Sequence, residues 1–230
     1  MSSTEPTPTT KTEDDGFVVV KTTRPVSPFP HNEERQPIVT ERLILRVFRP
    51  EDIDGLRELR TQPEVMKWTM QGRVDGDMAE TQARLDPFLG ESALGSYNFA
   101  ITLRGTGELI GLGGCHNFCS SQGWPEMGYM FKTQHWGKGL ATEFLKGFVE
   151  RWRTLPREEV ELKVKEASVI GGEEGRAREV LVAITDEVNW GSKKVLEKNG
   201  FERFLEWKGA GQDVTLVGWR LRMGGEEGRS

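Results

Sequence analysis

The sequence predicts a single α/β (α+β) domain, with a mixed, mostly antiparallel central sheet that is flanked by helices. Two observations lead to this fold class. Apolar residues alternate with the period of a strand in some segments and recur with the spacing of a helix in others. The segments follow one another as a strand, two helices, three antiparallel-type strands, a helix, a strand, a helix and a terminal hairpin. This order is not a regular alternation of strands and helices, which favours the mixed sheet.

The ordered elements are predicted from residue 40 onward. Leu43 and Leu45 alternate with Ile44 and Arg46, which predicts a strand. The acidic residues that follow Pro50 favour the start of a helix, because they suit the positive end of its dipole. Glycines at the turn after residue 103 indicate a hairpin, and Asn199-Gly200 is typical of a helix end. The predicted strands are 40–48, 97–103, 108–115, 124–131, 179–184, 201–207 and 214–221. The predicted helices are 49–60, 75–89, 140–153 and 186–199, with a short helical piece beginning at 64–68 between the first two.

Length and composition limit the class of protein. The chain has 230 residues, of which 36% are hydrophobic and 29% charged, which suits one domain with tails or at most two small domains. No segment approaches the roughly 20 apolar residues of a membrane span, so we expect no membrane partner. The net charge of −5 argues against general nucleic-acid binding, which usually leaves a basic surface. An acidic chain suits an amine or a basic protein as its partner.

The cysteines and the first residues bear on the cellular compartment. Cys115 and Cys119 lie four residues apart, and the chain has only three histidines, so neither a disulfide framework nor a metal site is indicated. We expect both thiols to be reduced and partly buried. The first residues lack the apolar core of a secretory signal. The sequence therefore predicts a cytoplasmic protein, and it leaves the choice between a monomer and a homodimer open.

The domain is predicted over residues 38–223, between a leading extension and a short tail. Residues 1–37 are rich in Thr, Pro and charge, and we expect them to be mostly disordered, although residues 17–20 could pair as an edge strand. The tail, residues 224–230, is expected to be flexible.

Residues 156–178 are polar and contain several glycines, which predicts a charged inserted loop. Val160, Leu162 and Val164 alternate within it, so a strand could start there. Residues 179–184 are the stronger candidate for the strand that enters the main sheet.

The stretch from Gln134 to Glu143 stands between a predicted strand and a predicted helix and carries Gly137 and Gly139. Such a turn can point backbone N–H groups into one place, and the positive end of the helix dipole makes that place suitable for a phosphate or pyrophosphate. An ordinary tight turn is the alternative, because short glycine patterns are common. A dinucleotide-binding fold is excluded, since Thr142 stands at the place of that motif's third glycine.

Three motifs, taken together, resemble a known family. They are Thr40-Glu41-Arg42-Leu43-Ile44-Leu45-Arg46, then Gly128-Tyr129-Met130-Phe131 with Gln134-x-x-Gly137-x-Gly139, and finally Asn189-x-x-Ser192 continuing to Phe201. In this order and spacing the chain is similar to the Gcn5-related N-acetyltransferase (GNAT) superfamily, in the branch of the RimJ and RimL ribosomal-protein alanine acetyltransferases. The resemblance spans roughly residues 38–222. It implies the GNAT fold, acetyl-CoA as donor without a metal, and an amine acceptor, either a small molecule or a protein N-terminus.

The resemblance also implies where the donor would bind. The pantetheine arm would pair like an added strand along Met130, Phe131 and Lys132, and Asn189 and Ser192 would contact this arm. Asn189 could instead be only the cap of its helix. Gln134 stands where the family motif allows Gln or Arg. The residues expected around the pyrophosphate, chiefly through backbone N–H groups, are Trp136, Gly137, Lys138, Gly139, Leu140, Ala141 and Thr142.

Acetyl transfer needs a base for the amine, a donor to the thioester oxygen and a proton for the thiolate. Glu126 stands where many relatives carry a carboxylate base, and its apolar neighbours could raise its pKa; a solvent-facing strand residue is the alternative. Met130 or Phe131 could offer a backbone N–H to the oxygen. Ser192 could protonate or hydrogen-bond the sulfur, or it could simply be a small helix residue.

Other residues carry weaker expectations. Many members of the superfamily have a tyrosine acid at the position of Leu196, so that acid is missing here. Tyr129 is expected to pack in the core. His116 and Asn117 could face the acceptor, but a surface turn is the favoured prediction. The missing tyrosine leaves room for a second interpretation, a non-catalytic acyl-CoA-binding regulatory relative with the same fold.

Overall fold

The structure, a computed structural model, describes residues 16–171, 176–209 and 214–224. Short single-turn helical segments connect the main elements. The strands are β1 (Phe17–Pro25), β2 (Ile38–Val39), β3 (Leu43–Arg46), β4 (Tyr97–Leu103), β5 (Leu109–Asn117), β6 (Glu126–Phe131), β7 (Arg157–Lys165), β8 (Val180–Asp186), β9 (Glu202–Lys208) and β10 (Thr215–Arg222). The helices are α1 (Ile53–Arg60), α2 (Pro63–Met66), α3 (Met78–Leu85), α4 (Leu140–Thr154) and α5 (Trp190–Lys198).

One large sheet organises the domain. Its eight strands lie in the order β2-β3-β4-β5-β6-β8-β10-β9. The pair β6–β8 is parallel, and the other neighbouring pairs are antiparallel. A parallel pair needs a crossover connection, and α4 followed by β7 supplies it. The predicted mixed, mostly antiparallel sheet is confirmed, as is the entry of residues 179–184 into it.

Helices cover both faces of this sheet. On one face Phe144 and Phe148 of α4 pack with Phe131 of β6 in the largest buried apolar cluster. On the opposite face Leu56 and Leu59 of α1 pack with a second cluster. The apolar spacing on each helix is the reason, because it gives each helix one side to bury. Among the described residues no helix is both long and apolar enough to cross a membrane.

Two predictions about irregular segments are wrong. Residues 17–25 of the expected disordered extension form β1, and residues 157–165 of the expected loop form β7. The two strands pair antiparallel in a separate ribbon, from Phe17 opposite Lys165 to Pro25 opposite Arg157. The alternatives left open by the sequence, a strand at residues 17–20 and one containing Val160, Leu162 and Val164, are the ones that form. Residues 1–15, 172–175 and 225–230 of the predicted extension, loop and tail lie outside the described residues.

The β1–β7 ribbon has a buried side. Its residues Val18, Val20 and Val164 pack over Trp124 and Val182 in a third apolar cluster. Farther along the extension, Phe29 is 2% exposed and joins the main cluster. Burial of these apolar side chains therefore holds much of the extension against the domain.

Several element limits differ from the predicted ones. Helix α3 ends at Leu85, because Pro87 follows in a tighter turn, and α5 starts only at Trp190, because Asn189 caps it. The predicted helix end at Gly200 is confirmed by its φ of +79°. The two cysteines are free, one buried and one exposed. Both were expected to be partly buried.

A buried ion pair ties α1 to the loop before α3. Arg60 Nε donates to Asp75 Oδ2 at 2.7 Å, and their side chains are 8% and 0% exposed. Burial raises the pKa of Asp75, but the hydrogen bonds from Arg60, Gln71 and Thr81 outweigh it and lower the pKa to about 2. The charged carboxylate is therefore the form that the fold stabilises.

This pair predicts a pH dependence of stability. Because the folded pKa of Asp75 lies below its unfolded value, the stabilisation is complete above about pH 4 and is lost as the pH falls toward about 2. We expect Asp75→Asn to lower the free energy of unfolding at pH 7 and to flatten its decline over this acidic range. Urea unfolding from pH 7 to pH 2 measures both effects. If the free energy of unfolding of Asp75→Asn declined over this range as steeply as the parent's, Asp75 would not be the source of the pH dependence.

Candidate active site

The sheet opens between its two parallel strands. The register between β6 and β8 consists of one pair, Glu126 with Val182, and Val182 N–H donates to Pro125 O at 2.9 Å. Beyond Glu126 the strands separate, while β5 continues beside β6 as far as Phe131 and β10 continues beside β8 as far as Asp186. The result is a gap in the middle of the sheet, next to the stretch from Gln134 to Glu143.

The direction of the β6 backbone determines which groups face this gap. Lys132 N–H donates to Ile110 O on β5 at 2.8 Å. Because backbone groups alternate in direction along a strand, those of Met130 also face β5, whereas those of Tyr129 and Phe131 face the gap. The prediction of added-strand pairing along Met130, Phe131 and Lys132 is therefore wrong for Met130 and Lys132. Only Phe131 of the three, and Tyr129 before it, face the gap.

The glycine turn has the form of an anion site. Gly137 and Gly139 have φ values of +72° and +77°, which non-glycine residues rarely adopt. Gly139 caps the N-terminus of α4, whose first N–H groups have no partner within a helix. Within the described part of the chain no acceptor bonds the N–H groups of Gly137, Lys138 and Gly139. This agrees with the predicted nest, which Leu140, Ala141 and Thr142 continue into the helix.

Trp136 belongs to the framework of this turn. Its N–H donates to Thr133 O at 3.0 Å, so the prediction that this N–H faces the pyrophosphate is wrong. Its indole Nε1 donates to Phe131 O at 2.7 Å and so ties the turn to the end of β6.

Helix α1 holds the other end of the turn. Lys132, whose side chain is 2% exposed, donates from Nζ to Glu58 Oε2 at 2.6 Å. Gln62 Oε1 accepts from Thr133 N–H at 2.8 Å, and Gln134 bonds both Glu58 and Gln62 at 3.2 Å. The hydrogen bond from Lys132 lowers the pKa of Glu58. The side chains of Lys132 and Gln134, predicted as donor contacts, are thus engaged with α1.

The first motif holds the start of α4. Glu143 accepts from Thr40 Oγ1 at 2.6 Å and from Arg42 N–H and Nε, both at 2.7 Å. Burial raises the pKa of Glu143, but these hydrogen bonds outweigh it and lower the pKa. Arg42 also donates from Nη1 to Lys138 O at 3.0 Å. This motif therefore fixes the glycine turn against β3.

Glu126 lies at the point where the strands separate. Its side chain is 15% exposed, and its Oε1 is 3.4 Å from His116 Nε2. Side chains alternate along β6, so Glu126 shares the α1 face of the sheet with Gly128 and Met130. The prediction of a surface turn at His116 and Asn117 is wrong, because both belong to β5. Gly128 makes room for the His116 ring, since a Cβ there would lie 3.1 Å from its Cε1.

Ser192 lies on the opposite face. Asn189 Oδ1 accepts from Ser192 N–H at 3.1 Å, so Asn189 caps α5, as the alternative to a donor contact had it. Tyr129 packs against Phe131 and Phe144, as predicted, but its hydroxyl extends to Ser192 Oγ at 2.9 Å. The gap therefore has a carboxylate on one face of the sheet and a serine–tyrosine pair on the other.

Known proteins share this arrangement of strands. A family model described as the GNAT acetyltransferase domain matches residues 42–202. An uncharacterized N-acetyltransferase p20 of Bacillus licheniformis is 32% identical over 130 residues, which is 56% of this chain and 72% of that protein. The chain therefore belongs to the GNAT acetyltransferase family.

Solved structures agree in fold. A RimL ribosomal L7/L12 α-N-protein acetyltransferase in complex with coenzyme A is 15% identical, with a TM-score of 0.63. The match covers 82% of this chain and 98% of the RimL chain. Mycobacterium smegmatis RimJ in complex with CoA-disulfide is 18% identical, with a TM-score of 0.58. The match covers 78% of this chain and 81% of the RimJ chain. The predicted GNAT fold is confirmed.

Proposed function

We propose that this enzyme transfers the acetyl group of acetyl-CoA to a primary amine by direct attack on the thioester. The observation that carries the proposal is the gap between β6 and β8, with the glycine turn at its edge and Glu126 and Ser192 on opposite faces. A donor threaded through such a gap would expose its thioester to both faces.

The pyrophosphate end of the donor would occupy backbone N–H groups that have no partner among the described residues. The pyrophosphate would accept hydrogen bonds from the N–H groups of Gly137, Lys138 and Gly139 and from the start of α4, where the helix dipole favours an anion. The pantetheine amides would pair with Phe131 and Tyr129, whose backbone groups face the gap. Asn189 would contact the arm through its amide nitrogen, because its amide oxygen already caps α5.

Glu126 would act as the base on the acceptor side. The amine nitrogen bonds to the carbonyl carbon while Glu126 takes its proton, directly or through water. The N–H of Phe131 or Tyr129 would donate to the resulting oxyanion. When the C–S bond breaks, the electron pair moves to sulfur, and the Ser192 hydroxyl would donate a hydrogen bond to the thiolate. The thiolate then takes a proton from solvent, and Glu126 releases to solvent the proton that it took from the amine.

The acceptor is proposed to be a protein N-terminus or a small amine. RimL and RimJ are the structural relatives that suggest the first. The test is thiol release from acetyl-CoA, measured with a free-N-terminus peptide, the same peptide with its N-terminus blocked, and a panel of small amines. We expect release that depends on an amine. Calorimetric binding of acetyl-CoA without release for any amine would favour the non-catalytic, acyl-CoA-binding alternative.

A further inference from the structure

The contact between Tyr129 and Ser192 links the two elements that border the gap. Tyr129 projects from β6 and Ser192 lies on α5, 63 residues later in the chain. The hydroxyl of Tyr129 is 2.9 Å from Ser192 Oγ and 3.4 Å from Ser192 O. This places a second ionisable hydroxyl beside the serine, although Leu196 occupies the place of the family's usual tyrosine.

The distances indicate the direction of the hydrogen bond. If Ser192 donated to Tyr129, the tyrosine proton would be left with Ser192 O at 3.4 Å, which is longer than an ordinary O–H···O bond. If Tyr129 donates to Ser192 Oγ, the 2.9 Å contact is satisfied and the serine proton is left for another acceptor. Burial raises the pKa of Tyr129 to about 12, against the smaller effect of its bond with Ser192, so the tyrosine keeps its proton at neutral pH.

We propose that Tyr129 is a positioning residue of the acetyl transfer, whose hydroxyl donates to Ser192 Oγ and so directs the serine proton toward the sulfur of the leaving thiolate. This inference rests on the proposed function. The side chain of Tyr129 touches no substrate and loses no proton; any contact of this residue with the donor is through its backbone. Its contribution is to remove the orientation in which the serine proton points away from the gap.

The test uses single-turnover acetylation, which isolates the chemical step from product release. Tyr129→Phe keeps the ring that packs on Phe131 and Phe144 and removes only the hydroxyl. We expect the rate constant to fall about tenfold, while the acetyl-CoA dissociation constant and the thermal midpoint stay near those of the parent.

A double-mutant cycle separates this role from a structural one. If Tyr129 acts through Ser192, the double variant Tyr129→Phe/Ser192→Ala should be no slower than Ser192→Ala alone. If the double variant's rate were instead reduced by the product of the two single reductions, the proposal would be overturned. The chain's other tyrosine, Tyr97, is buried in the main cluster. Tyr97→Phe is therefore the matched control, and it should keep the parent's rate within about twofold.

The outcomes distinguish this inference from the proposed function. A parent protein that binds acetyl-CoA but releases no thiol with any amine overturns both. A parent that turns over, with a Tyr129→Phe rate within about twofold of its own, overturns only the assignment of Tyr129.

Discussion

Replacing Glu126 with Gln is expected to lower the single-turnover rate of acetyl transfer by about 10²- to 10⁴-fold, the range that general-base catalysis contributes. Glutamine keeps the size of the side chain and can still contact His116, but it cannot accept the proton of the amine. Because Glu126 lies at the end of β6 opposite to the glycine turn, the affinity for acetyl-CoA should stay close to that of the parent. Calorimetry and rapid-quench measurements on the same samples give both quantities.

Glu161→Gln provides a control for this substitution. Glu161 is also a strand glutamate, but its side chain is 63% exposed and its ion pair, at 3.8 Å, is with the exposed Lys21 in the ribbon. The single-turnover rate of the Glu161→Gln variant should match the parent's. If Glu126→Gln retained a rate within about threefold of the parent's, Glu126 would not be the base, and His116 would be the next residue to substitute.

Replacing Gly114 with Ala is expected to destabilise the fold strongly. Gly114 has a φ of +145°, and a Cβ there would lie 2.1 Å from Tyr97 O and 2.8 Å from Asn98 Cα, all backbone atoms of β4. The collision cannot be relieved by a side-chain rotation, so β4 and β5 would have to move apart. Because the substitution causes both backbone strain and overpacking, we expect a loss of about 3 kcal/mol or more in the free energy of unfolding. Chemical denaturation followed by circular dichroism measures this loss.

Gly105→Ala is the matched control on the same hairpin. Gly105 lies in the turn between β4 and β5, and a Cβ there meets no atom within 4 Å. Its free energy of unfolding should stay within about 0.5 kcal/mol of the parent's. A Gly114→Ala protein that unfolds at the parent's denaturant concentration would show that the two strands separate at little cost.

The order of elements along the chain could be predicted because the apolar period is strong in most of them. Strand β4, for example, is almost wholly buried, and only Asn98 and Thr102 interrupt its apolar residues. The β1–β7 ribbon could not be predicted in the same way. Its apolar residues are limited to a short run at the start of β1 and an alternation in β7, and the two strands pair although they lie far apart in sequence.

The glycine turn before α4 could be predicted, because two glycines before a helix start determine their own backbone conformation. The errors concern groups whose direction depends on their neighbours. Whether Met130 or Phe131 faces the gap is decided by the register with β5, and Trp136 loses its N–H to Thr133 within the turn.

The contacts of Tyr129 with Ser192 and of His116 with Glu126 join different elements, so the sequence alone could not predict them.

The pairing of β1 with β7 also has a consequence for synthesis. Because β7 leaves the ribosome after β1, at about 5–20 residues per second, β1 waits on the order of 10 s for its partner. During that time Val18 and Val20 are exposed on a strand without its native partner. Lys21 and Arg24 on the same strand should discourage pairing with other chains, as charges on edge strands do. Strand β1 can therefore pair only after β2 to β6 and the helices α1 to α4 have been made.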